Sequence, residues 1–79
     1  MKFVVTINIS GHLKDLYPHL EAQQTVELEQ PVTVSGLIAA RGISSKMVLF
    51  ATIDDRIVDK QLLVEQSCTI NLISPPAGG

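Results

Sequence analysis

Cysteine occurs once in this chain, tryptophan not at all, and basic residues number six against eight acidic ones. Each scarcity removes a class of protein. The single Cys68 excludes an internal disulfide framework and fits a reducing compartment. Aromatic side chains are limited to Phe3, Tyr17 and Phe50, so any core must be aliphatic. A net charge of −2 with no run of Lys or Arg gives no electrostatic footing for nucleic acid or an anionic membrane, and neither is expected as a partner. No apolar run approaches the roughly 20 residues that span a bilayer. Met1-Lys2 leads straight into a strand pattern whose apolar run Phe3-Val4-Val5 is broken by Thr6, which does not resemble a secretory leader. The expected location is therefore cytoplasmic.

What is present is enough for one small core: 46% of the 79 residues are apolar and 18% are charged. Residues 2–9 are β-branched and place Phe3, Val5, Ile7 and Ile9 on one face, predicting a strand. Leu13, Leu16, Tyr17 and Leu20 follow at helical spacing, but Pro18 interrupts them. The expectation is one turn of helix over 12–16, then a loop to Gln24 that packs Leu13, Leu16 and Leu20 over one end of the core. Thr25–Glu29 alternates as a half-buried strand with Val26 and Leu28 inward. Thr33 is a suitable N-cap for a helix from Val34 to Arg41, with Val34, Leu37 and Ile38 inward, Arg41 next on the same stripe, and Gly42 as its stop.

The run 47–53 has strand length, Asp54-Asp55 supplies a turn, and Arg56–Val58 returns as a short strand. Residues 59–64 read as an irregular connection burying Leu62 or Leu63. The last strand, Cys68–Ile73, turns Cys68, Ile70 and Leu72 inward. The order strand, strand, helix, strand, short strand, strand predicts an α+β domain: a four- to five-stranded sheet packed on one helix. Residues 1–73 form this domain, and 74–79, Ser-Pro-Pro-Ala-Gly-Gly, form an extended tail.

Other chemistry-bearing residues read as structural. His12 and His19 lack ligands at metal spacing. Asp54, Asp55 and Asp59 lack the glycine and spacing of a calcium loop and read as a solvated turn. Cys68 on an inward strand position reads as a small core residue, and Ser44 and Ser45 have no acid–base partners. The chain is expected to be non-catalytic, with no metal or cofactor of its own.

The ββαβ…β order, the segment Ile53-Asp54-Asp55-Arg56-Ile57-Val58 and the ending Ile70-Asn71-Leu72-Ile73-Ser74-Pro75-Pro76-Ala77-Gly78-Gly79 together resemble the ThiS/MoaD family of ubiquitin-like sulfur carriers. Within it, the Pro-Pro stem is most similar to the small subunit of molybdopterin synthase. The resemblance implies a β-grasp fold, with first and last strands parallel at the sheet centre and a mixed sheet. It also implies that a ubiquitin-activating-like adenylyltransferase, using ATP and Mg²⁺, adenylates the Gly79 carboxylate. Sulfur from a sulfur donor then displaces AMP, and the resulting thiocarboxylate serves a larger synthase subunit in molybdopterin or tungsten-pterin synthesis. The alternatives are delivery to a thiazole synthase for thiamine, conjugation of Gly79 to lysines as a modifier, or a plain binding domain.

The residue chemistry agrees with a carrier. Gly78 and Gly79 carry no side chain and can thread a narrow channel. Pro75 and Pro76 stiffen the stem and lower the entropy lost on insertion, with Ala77 between. Alternation along the apolar run and the last strand predicts Val48, Phe50 and Ile73 on the outer face, an apolar docking patch beside the tail.

Overall fold

In the computed structural model, which describes residues 2–9 and 11–75, Phe3–Ile9 is extended as strand β1, with Val5, Ile7 and Ile9 buried and Phe3 packed beside them. Gly11, at a φ of 59°, turns the chain into the single helical turn α1, His12–Leu16. Leu13 is fully buried and Leu20 packs against the core. Leu16, expected to join them, is 43% exposed. Helix α1 ends at Leu16, with Tyr17 as its C-cap, so no further turn carries the stripe onward over the core.

Strand β2 (Gln23–Leu28) pairs antiparallel with β1, from Phe3 opposite Leu28 to Asn8 opposite Gln23. Val32–Thr33 forms a two-residue strand, β3, that runs directly into helix α2, Val34–Ala40. Thr33 caps α2 through its Oγ1, which accepts from Gly36 N at 3.0 Å. A Cβ on Gly36 would sit 2.9 Å from Val32 Cγ1, so this glycine admits the close approach of β3 to its own helix. Arg41 is the C-cap and Gly42 follows at a φ of 76°. Gly42 N donates to Ala39 O and Ile43 N to Ile38 O, closing a Schellman stop with Ile38 and Ile43 both buried.

A 3₁₀ turn, Ser45–Met47, occupies the start of the run expected to be strand, so β4 is only Phe50–Ile53. The hairpin at Asp54-Asp55, with both φ angles positive, leads to β5, Arg56–Val58. In the connection beyond it, Leu62 and Leu63 are 42% and 46% exposed, and Val64 is the buried residue. The reason is a small antiparallel ribbon: β6 (Leu63–Val64) pairs with β3, placing Val64 opposite Val32. Strand β7, Cys68–Ile73, completes the fold with Ile70 and Leu72 buried.

The main sheet has the order β2-β1-β7-β4-β5, and β1 and β7 are its parallel central pair. Helix α2 covers one face, where Val34, Leu37 and Ile38 meet Ile7, Ile70 and Leu72 around a gap too small for water. A seven-residue helix is too short to persist alone. Three buried side chains at about 1.5–3 kcal/mol each hold it instead.

Candidate functional site

Because β7 lies between β1 and β4, Ser74 and Pro75 continue the chain from the middle of the sheet. Leu49 N donates to Ile73 O at 2.7 Å, and Phe50 stands opposite Ile73 in the β4–β7 register. Both side chains are half-buried, as are Ser74 and Pro75 immediately beyond. Pro76, Ala77, Gly78 and Gly79 lie outside the described residues, and with them the expected carrier position and most of the insertion stem.

Phe50 and Ile73 thus stand together on the face away from the helix, as the alternation predicts. Val48 does not. It is 1% exposed and belongs to the core. The 3₁₀ turn at Ser45–Met47 breaks the strand before Phe50, so the alternation that would turn Val48 outward never extends to it. In its place stands Ile57 on β5, 71% exposed and in register with Thr52. Its position opposite in phase to inward Val58 is the sequence signal for it.

A polar row adjoins these apolar residues on the same face. Gln23 Nε2 donates to Asn8 Oδ1 at 3.2 Å, Asn8 Nδ2 to Asn71 Oδ1 at 2.9 Å, and Asn71 Nδ2 to Thr52 Oγ1 at 3.3 Å. The chain of bonds therefore runs in one direction across four strands. Of the residues that the five strands turn to this face, only Glu27 is ionisable, and Lys2 Nζ lies 3.1 Å from its carboxylate. Apart from this ion pair at its β2 edge, the open face is a surface of amides, hydroxyls and apolar side chains.

The remaining candidates are dispersed. Cys68 is half-buried, and its thiol is pushed up, first by burial and then by the negative charge of Asp54. Asp59 Oδ1 accepts from Gln61 N at 2.7 Å, a local turn contact. Among the described residues no three His, Cys, Asp or Glu side chains gather as a metal site. No helix among them is long and apolar enough to cross a membrane.

A mixed five-stranded sheet with parallel central strands grasping one helix is the β-grasp fold of ubiquitin-like proteins. Among solved structures, SAMP1 from Haloferax volcanii shares it, with a TM-score of 0.70 over 96% of this chain and 99% of that one. The two sequences are 12% identical, so the likeness is one of fold. No family model matches the sequence, and no curated protein matches it either.

Proposed function

We propose that this chain is a sulfur carrier whose working group is the carboxylate of Gly79. The observation that supports the reading is that the sequence Pro75-Pro76-Ala77-Gly78-Gly79 follows, after Ser74, the central strand of a ubiquitin-like sheet. A terminal carboxylate has a pKa of roughly 3.3–3.7, so at neutral pH it is ionised and a poor acyl donor. Activation comes from a partner. The carboxylate oxygen attacks the α-phosphorus of ATP on an adenylyltransferase, and Mg-pyrophosphate leaves. Sulfide then attacks the acyl carbon and AMP departs, leaving the thiocarboxylate. With a persulfide donor, the acyl disulfide formed first is cleaved by a thiol reductant.

This chain contributes the slim tip, the proline stem and the docking surface of Phe50 and Ile73. Metal, nucleotide and catalytic groups belong to the partner. The Pro-Pro stem favours a synthase making molybdopterin or a tungsten-pterin as the recipient. Intact mass after incubation with ATP, Mg²⁺, an activating enzyme and sulfide tests the reading. A gain equal to replacing one oxygen by sulfur, lost when Gly79 is deleted, is the expected result. High-mass lysine adducts would identify a modifier instead, and an unchanged mass would reject both.

A further inference from the structure

The two edges of the main sheet are unequal: β5 has three residues, whereas β2 has six in unbroken register with β1. Nothing among the described elements pairs with the outer side of β2. The strand contains no proline, lysine or bulge, the usual devices that blunt an edge. The bond from Ile9 N to Ala22 O fixes which backbone groups are free. It makes the Ile7–Gln24 and Val5–Val26 pairs the hydrogen-bonded ones. The N–H and C=O groups of Gln23, Thr25 and Glu27 therefore point away from β1.

Beside this edge, on the helix side, lies a depression of ≈ 410 Å³, closed by the 19–21 loop and by Arg41 at the end of α2. Arg41 Nη1 donates to Gln24 Oε1 at 3.0 Å, while its Nε is buried with no partner. Both described ion pairs come from Lys2, so the Arg41 guanidinium faces only a neutral acceptor. Glu21 also lines the depression, which limits how much negative charge it accepts.

We propose that the β2 edge is a strand-addition site for an extended antiparallel peptide carrying one acidic side chain opposite Gln24. Backbone pairing to Gln23, Thr25 and Glu27 supplies the attachment. The peptide residue opposite Gln24 projects to the helix side, into the depression, where its carboxylate meets Arg41. Residues opposite Val26 and Leu28 lie against half-buried apolar side chains, so the preferred pattern is apolar-x-apolar-x-acidic. The backbone edge borders the open face through Gln23, whose side chain joins the polar row, but the depression and Arg41 lie on the helix side, and the site does not depend on the tail.

The probe is acetyl-Val-Thr-Val-Thr-Glu-Thr-amide, titrated into ¹⁵N-labelled protein and followed by amide chemical shifts. The expected result is saturable shifts centred on Gln23, Thr25 and Glu27. Exchanging the peptide's Glu for Gln weakens binding ~5-fold, the scale of a partly exposed ion pair. Arg41→Gln removes that difference. Thr25→Pro abolishes binding but preserves the β1–β2 cross-strand amides, because the Thr25 N–H is not used by β1. No shifts at millimolar peptide, shifts centred on Asn71 and Phe50, or equal affinity for the Glu and Gln peptides would overturn the proposal. So would sedimentation showing a peptide-free dimer that Thr25→Pro dissociates, which would assign the edge to a second copy.

Discussion

Cys68 begins the last strand with its thiol half-buried against the core, and Asp54 adds negative charge nearby. Both effects disfavour the thiolate, which is the reactive form. Alkylation by iodoacetamide at pH 8 should therefore run slower than for a free cysteine peptide, and Asp54→Asn should recover part of the rate. The linkage has a definite sign. The folded state keeps the proton to higher pH than the unfolded chain, so the contribution is full below the unfolded thiol's titration. It is lost as pH rises through the folded one. Urea midpoints should fall on that alkaline limb in the natural chain, and less so in Cys68→Ala. Equal alkylation rates for protein and peptide would contradict this account.

At the scale of elements, the β4–β5 hairpin carries a correctable strain. Asp54 and Asp55 sit at φ values of 52° and 66°, the left-handed pair that a two-residue turn demands. Aspartate tolerates this region, but glycine occupies it without steric cost. Asp55→Gly should therefore stabilise the fold by about 0.5–1 kcal/mol, after the extra freedom of the unfolded chain is deducted. The measurement is the urea midpoint at constant m-value. The hairpin was legible in the sequence because two turn residues separate two apolar runs. The Thr33 cap, the Gly42 stop and the alternation of β1, β2 and β7 were legible for similar local reasons. The β3–β6 ribbon was not, since two residues are too few to display any period, and so no pattern distinguishes buried Val64 from exposed Leu62 and Leu63. Alternation points Val48 the wrong way because it holds only within a continuous strand, and the 3₁₀ turn interrupts it. The Asn8–Asn71 row depends on parallel pairing of residues 63 apart, which no local pattern encodes. Arg41 could be placed at the helix end from sequence, but its position beside β2 could not.

For the whole molecule, the core occupies one face of the sheet, and the proposed carrier role assigns recognition to the other. Val48 and Phe50 are two apolar residues only two positions apart, yet Val48 is enclosed in the core and Phe50 stands on the open face beside Ile73. Truncating each should expose the division. Val48→Ala removes two buried carbons and leaves a cavity, at a cost of about 2 kcal/mol. Phe50→Ala loses a half-exposed cross-strand contact, at about 1 kcal/mol or less. Sulfur loading should rank in the reverse order. Under conditions where both variants remain folded, Phe50→Ala should slow thiocarboxylate formation by the activating enzyme if, as proposed, Phe50 belongs to the docking surface. Val48→Ala should load at the natural rate, since it touches neither tail nor docking face. The check is the initial rate of the oxygen-to-sulfur mass gain, measured beside the urea midpoint of each variant. Equal slowing by the two substitutions would separate the open face from carrier docking, even with the tail chemistry intact.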